Sequence, residues 1–310
     1  GLVVLSSSLN IDFMGGRRIA LAFSAVLIIF SLGSLVTRGL NFGLEFTGGD
    51  LLEISYAGEA DLADIRTTLL EEGFENPLVQ IFGTVSDVLI RLPPQEVTEG
   101  TATRDRITDA LQARDSSAQL QRFEFVESQV GEELTEDGSY AMLIALVLIF
   151  IYVMLRFRWK FAAGTISALV HDVIVVFGFF SIFQIPFDLT IVAAILATIG
   201  YSLNDTIVVF DRIRENFRAI RRGTAEEIIN TSINQILGRT MITSLTTLVV
   251  LTCLFLLGGA TVSGFALALI VGVVIGTYSS IYVASASALA LNISPSDLIP
   301  QKREEIDDMP

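Results

Sequence analysis

The sequence predicts a polytopic α-helical membrane protein with six spans and one small α+β, ferredoxin-like domain inserted between the first and second. Three observations carry that prediction. The chain of 310 residues is 52% apolar and only 17% charged, with a mean hydropathy of +0.63. A soluble domain carries about a quarter charged residues. The apolar excess falls in six long runs, each long enough to cross a bilayer. The charge is also uneven. Residues 38–140 hold 21 Asp and Glu against seven Arg and no Lys, so they account for the whole net charge of −14. One acidic hydrophilic domain is therefore set into an otherwise neutral membrane protein, and an acidic balance excludes nucleic acid as the natural partner.

The predicted spans are 19–36, 140–155, 161–183, 189–210, 241–257 and 265–291. Arg17-Arg18 before the first run gives it the look of a signal peptide. The run is too long for a signal core and lacks a small-residue cleavage site, so it reads as a retained helix. This divides the chain into a segment 1–18, a first span 19–36, an external domain 37–139 with its core at about 50–127, a helical bundle 140–291 and a tail 292–310. Orientation follows from basic residues in short loops. Arg17, Arg18, Arg156, Arg158, Lys160, Arg212, Arg214, Arg218, Arg221, Arg222, Arg239, Lys302 and Arg303 all fall on one side, and the connections 184–188 and 258–264 hold no Lys or Arg. The termini are expected in the cytoplasm and the acidic domain in the periplasm, in a bacterial inner membrane.

Within the acidic domain the elements run βαββαβ. Residues 50–56 alternate as a strand, and 60–72 present Leu62, Ile65, Leu69 and Leu70 on one helical face before Gly73. Residues 78–82 and 88–92 are strands around the turn 83–87, with Pro93-Pro94 ending the second. Residues 103–114 place Ile107 and Leu111 at i, i+4, and 120–127 alternate around Phe123 and Phe125. This order is that of a ferredoxin-like sandwich. The domain reads as a binding or lever module. Ahead of it, Gly48-Gly49 offers a turn with positive φ. The sequence shows no metal cluster, no phosphate loop and no nucleophile–base arrangement, so neither enzyme chemistry nor a cofactor is expected. Cys253 lies in an apolar run and reads as a small hydrophobe.

The segment Gly200-Tyr201-Ser202-Leu203-Asn204-Asp205-Thr206-Ile207-Val208-Val209-Phe210-Asp211-Arg212 begins inside an apolar helix and ends among arginines. An ionised carboxylate at Asp205 costs several kcal/mol there. Desolvation favours the neutral form of a carboxyl group and a nearby cation the charged form. A group held between the two can change protonation as a bundle moves. Arg239, at the start of the fifth predicted span, is the natural counter-ion. His171-Asp172 lies about 15 Å into the third span at 1.5 Å per residue. His171 is the single histidine and titrates near neutrality, though neighbours on a helix point about 100° apart. Ser202, Thr198, Asn204, Thr206 and Thr243 can hydrogen-bond along the same route or simply pack. Asp211, Arg212, Arg214 and Glu215 read as rim ion pairs. Gly272 and Gly276 form a small-xxx-small face for close helix contact, within the chain or with a partner.

Several stretches taken together resemble one family. They are Asp12-Phe13-Met14, Asn41-Phe42-Gly43-Leu44-Glu45-Phe46-Thr47-Gly48-Gly49, His171-Asp172, the segment from Gly200 to Asn216, Gly238-Arg239-Thr240, and Gly276-Thr277-Tyr278-Ser279-Ser280-Ile281-Tyr282. In this order they are similar to the SecF-type proteins, the smaller half of the SecD–SecF translocase accessory complex. The resemblance implies half of a resistance-nodulation-division permease fold that pairs with SecD beside the SecYEG channel, with YajC and YidC as further partners. It implies that the pair uses the proton-motive force to draw unfolded exported polypeptides across the membrane. It assigns the proton-responsive role to Asp205 and a functional role to Arg239, and marks Phe46, Thr47, Gly48 and Gly49 as the signature loop; Asp172, His171 and Asn204 are the further candidates for proton coupling on their polarity. Rival readings are a half-transporter of the same superfamily exporting a small molecule or lipid, an uncoupled scaffold, and an intramembrane aspartyl protease using Asp172 and Asp205 as a dyad.

Overall fold

A computed structural model describes residues 10–94, 100–126, 128–220 and 222–293. The expected basic residues Arg221, Lys302 and Arg303, together with Glu127 and the tail from 294 onwards, lie outside the described residues. The chain divides into two compact units, one formed by 1–39, 145–183 and 193–310 and the other by 40–144 and 184–192.

The first unit is helical. Its elements are α1 (Arg17–Thr37), the later part of α5 (Ser128–Arg156), α6 (Trp159–Phe183), most of α7 (Leu189–Ala219), α8 (Ala225–Leu257), α9 (Ala260–Ser279) and α10 (Ser285–Ala290). A π-helical turn at Ser280–Ala284 joins the last two. Among the described residues, six helical stretches are long and apolar enough to cross a membrane, and they match the six predicted runs. This is a multi-pass membrane protein. The largest boundary differences from the sequence expectation are at α5, which begins at Ser128 rather than near 140, and around the α7–α8 connection. α7 continues through the arginine-rich segment to Ala219, and α8 begins at Ala225, sixteen residues before the apolar run. Hydropathy misses both extensions because they are polar and helical. A capping box starts α8: the Thr224 hydroxyl accepts from the Glu227 amide and the Glu227 carboxylate accepts from the Thr224 amide at 2.8 Å.

Small residues set the helix contacts. A Cβ on Gly178 of α6 would sit 2.1 Å from Ser31 of α1. The Gly272 and Gly276 face of α9 packs against Thr198 and Ser202 of α7, so this small-xxx-small pair works within the chain. The Asp12-Phe13-Met14 segment is held by two asparagines at i, i+4 on α8. Asn230 Nδ2 donates to Asp12 at 2.7 Å, and Asn230 Oδ1 accepts from the Met14 amide at 2.9 Å. Asn234 both donates to and accepts from the backbone of Ile11.

The second unit contains α2 (Leu44–Thr47), β1 (Gly49–Ser55), α3 (Leu62–Glu71), β2 (Leu78–Phe82), β3 (Thr84–Leu92), α4 (Gly100–Arg114) and β4 (Gln119–Val126). The strands form an antiparallel sheet in the order β2-β3-β1-β4, the ferredoxin-like arrangement. Leu52, Ile54, Ile65, Leu69, Ile90, Leu92, Ile107 and Leu111 build its core. Asp61 caps α3 by accepting from the amides of Ala63 and Asp64. β3 starts four residues earlier than expected, because Gly83 at φ +83° turns the chain directly into it and the Asp87 carboxylate accepts from Ser55 and Thr84. The one-turn helix α2 was not anticipated. The expected positive-φ turn is present, with Gly48 at +67° and Gly49 at +109°. A Cβ on Gly49 would lie 2.1 Å from the Leu92 carbonyl oxygen, so only glycine allows β1 to enter the sheet here.

Asp50 follows that turn. Its side chain is buried, its Oδ1 has no hydrogen-bond partner, and burial pushes its pKa up to about 6. A carboxyl group whose folded-state pKa is raised binds more protons in the folded protein. Its contribution is therefore fully present below pH 4 and is lost as pH rises through about 6. Asp50→Asn is expected to stabilise this unit by roughly 1 kcal/mol at pH 7, after solvent screening is allowed for, and by nothing at pH 4. Hydrogen exchange of the β1 and β3 amides in the two proteins at both pH values checks this.

Candidate functional site

The membrane helices bury a polar centre at the crossing of α6, α7 and α9. Asp172 of α6 is fully buried. Its Oδ2 accepts from the Ser202 hydroxyl of α7 at 2.5 Å and from the Ser279 hydroxyl at the end of α9 at 2.8 Å. Its Oδ1 lies 3.0 Å from His171 Nδ1, so the two neighbours meet despite pointing apart on the helix. The other ring nitrogen of His171 is buried without a hydrogen-bond partner, and its ring lies 6.2 Å from that of Tyr278. Tyr278 in turn donates to the Ala20 carbonyl at 2.6 Å and shares a hydrogen bond with Ser24.

Why these helices meet there is legible locally. Gly276 lets α9 approach Ser202, and Gly164 lets α6 approach the Ala284 carbonyl in the π-turn. The π-turn begins one residue after Ser279. Such turns relax the regular hydrogen-bond ladder and recur at functional sites. Ser279 is a site member that sequence reasoning missed, although it sits in the quoted Gly276–Tyr282 stretch. A pair of serines within an apolar run was the available signal.

Asp205 lies three residues beyond Ser202, on the same face of α7. It is buried and its Oδ2 has no hydrogen-bond partner. The Arg239 guanidinium acts on it through space without ion-pair contact. Arg239 stands fourteen residues into α8 rather than at its start, and it is exposed. Asn204, one step round the helix from Asp205, is exposed and joins none of these contacts. Thr198 and Thr206 are buried with unpartnered hydroxyls, and Thr243 bonds back to its own helix. The rim residues form ion pairs: Arg156–Asp211 at 2.7 Å, Arg214–Asp211 at 3.4 Å and Arg212–Glu215 at 2.5 Å. Asp172 and Asp205 share no hydrogen bond, so they do not form a dyad of the aspartyl-protease kind. In the other unit, Phe46 packs with Phe42 and Phe187, and Thr47 bonds back to Gly43.

The chain is similar to proteins of one family. Residues 106–294 match the family described as protein export membrane protein SecD/SecF, C-terminal, and residues 33–58 match the SecD/SecF GG motif, which contains Gly48-Gly49. The chain belongs to the SecD/SecF family. A protein translocase subunit SecF from Pseudomonas aeruginosa is 48% identical over 97% of this chain and 98% of its own length. One from Escherichia coli O157:H7 is 46% identical over 95% of this chain and 92% of its own. A crystal structure of SecDF from Thermus, described as a translocon-associated membrane protein, superposes with a TM-score of 0.84 at 37% identity. It matches 92% of this chain, which spans 39% of that longer protein. SecDF in a super-membrane-facing form gives a TM-score of 0.67. The SecD/SecF fold therefore houses the Asp172 centre and the Asp205 face of α7.

Ser202 and Ser279 share one acceptor oxygen, so their contributions are coupled. Removing either hydroxyl is expected to cost about 0.5–2 kcal/mol, and the double Ser202→Ala, Ser279→Ala change to deviate from the sum by at least ~0.5 kcal/mol. Thermal unfolding of the purified protein in detergent measures both.

Proposed function

We propose that this chain acts as the SecF-type half of a SecD–SecF complex, and that the pair uses the proton-motive force to promote export of unfolded precursors through the SecYEG channel. The observation that carries the reading is the buried acidic face of α7. Ser202 of that helix is bound to Asp172, and Asp205 one turn on is held under the field of Arg239 with an unpartnered oxygen. Uncompensated carboxyl groups in a membrane interior are retained where protons or ions move. Relatives named protein translocase subunit SecF, matching over nearly the full length, and the SecDF structure support the assignment to export and to a SecD partner.

The coupling works by protonation. With a proton on Asp205, the attraction to Arg239 falls away and α7 and α8 are free to shift; releasing the proton restores the attraction. Asp172, Ser202, Ser279 and His171 extend the polar route across α6 and α9. The Lys and Arg in the short loops support cytoplasmic termini and a periplasmic acidic domain, in an inner membrane. SecYEG, with YajC and YidC, is the expected surrounding assembly. Six spans make half of a permease, and the SecD-type partner supplies the other half. The chain acts by coupling, with no chemical turnover of its own.

The test is export of a secreted precursor in a strain depleted of its own copy. Asp205→Asn, an isosteric change, should reduce export to the level of the depleted strain while the SecD-type partner still co-purifies. Normal export with Asn at position 205 would leave an uncoupled scaffold as the correct reading.

A further inference from the structure

Between α6 and α7 the chain makes a short turn, 184–188, which belongs to the sheet-bearing unit. It is tied down unusually well for a five-residue connection. Phe42 and Phe187 form a parallel β-bridge: the Gly43 amide donates to the Phe187 carbonyl and the Phe187 amide to the Asn41 carbonyl, both at 2.7 Å. Gln184 sits at φ +51°, a strained left-handed conformation for a residue other than glycine, and its carbonyl accepts from Asn41 Nδ2 at 2.9 Å. Asp188 then accepts from Thr190 and from the Ile191 amide, capping the first turn of α7.

One side chain fastens the bridge to the sheet. Arg91 projects from β3, nearly fully buried, and its Nη1 donates to the Asn41 side chain at 3.1 Å and to the Phe42 carbonyl at 2.7 Å. The carboxylates of Glu45 and Asp188 act on it and favour its charge against the desolvation that opposes it. Hydrogen bonds from a buried cation are roughly twice as strong as neutral ones. Removing the guanidinium takes that charged donor away from the Asn41 side chain and the Phe42 carbonyl, and with it the tie between the bridge and β3.

We propose that Arg91 is a positioning residue for coupling: it clamps the bridge 41–43/187 to β3, so that a displacement of the sheet is delivered to the capped first turn of α7, the helix that carries Ser202 and Asp205. The proposal rests on the coupling function above. No residue of the clamp is a member of the polar centre, so its effect on export is mechanical. The linkage runs through five contacts on four segments: β3 to Phe42, Asn41 to Gln184, Gly43 to Phe187, Phe187 to Asn41, and Asp188 to the helix start. Lysine at position 91 keeps the charge but has one nitrogen where arginine has a fork.

The experiment uses the full chain co-purified with its SecD-type partner, comparing wild type, Arg91→Gln and Arg91→Lys. Hydrogen exchange at the Gly43 and Phe187 amides should accelerate at least about tenfold in Arg91→Gln. Exchange at Leu52 and Ile54 in the sheet core should stay unchanged. Precursor export should fall with the complex intact, and Arg91→Lys should lie between wild type and Arg91→Gln in both readouts. Unchanged exchange at the bridge amides, acceleration spread equally over the sheet core, or loosened bridge amides with normal export would each overturn the clamp. Asp205→Asn run in parallel separates the two claims. If Asp205→Asn fails and Arg91→Gln exports normally, the clamp alone is wrong. If Asp205→Asn exports normally, the coupling reading falls and the clamp falls with it.

Discussion

A carboxylate with no route to bulk water has to find its partners inside the protein, and Asp172 is the group around which the helical unit is organised. Three hydrogen-bonding groups from three positions converge on it: His171 beside it, Ser202 from α7 and Ser279 from α9. The two serines are in reach because close contacts bring their helices up to α6. Gly276 opposite Ser202 and Gly164 opposite the Ala284 carbonyl are two of the places where a methyl group would crowd the neighbouring helix. The π-turn after Ser279 belongs to the same arrangement, since the backbone of the sixth span leaves the regular ladder beside the buried acid. In lipid, apolar side chains gain little from meeting one another, so close small-residue contacts and a few polar ones decide which helix faces which.

Satisfaction at Asp172 contrasts with its absence at Asp205. Both sit on or against the same face of α7, yet Asp172 is fully bonded and Asp205 has an orphan oxygen and a cation acting from a distance. A fully bonded group fixes packing, whereas a group left short of partners in a low-dielectric place is sensitive to any shift of its neighbours. The two carboxyl groups thus divide the labour, one holding the crossing together and the other left able to respond. α7 joins these residues to the connection at its start, where Asp188 caps the helix and the Phe42–Phe187 bridge anchors it.

Much of this was legible in the sequence, and the rest was not for identifiable reasons. Hydropathy runs gave the six spans, and alternation with turn residues gave the βαββαβ order. Both are one-dimensional signals that burial writes directly into the chain. The start of α8 at Ala225 was missed because its first turns are polar and carry no hydropathy signal, although Thr224 with Glu227 is a readable cap. Asp172, His171 and Ser202 stand together as their polarity in apolar helices suggested. Asn204 does not, because one residue along a helix turns the side chain away from the face that holds Asp205. Ser279 and Arg91 escaped notice because their partners lie 107 and about 50 residues away in sequence. The π-turn at Ser280–Ala284 has no sequence signature, since it follows from packing against α6 rather than from local propensity.

Coupling depends on Asp205 exchanging a proton as the protein works. The most direct measurement is proton entry into proteoliposomes holding the reconstituted complex with its SecD-type partner, followed with a lumenal pH-sensitive dye under an imposed pH gradient. Wild type should admit protons faster than empty vesicles, and Asp205→Asn should fall to the empty-vesicle rate while Asn204→Ala stays near wild type. Equal proton entry in wild type and Asp205→Asn would contradict the account at its centre.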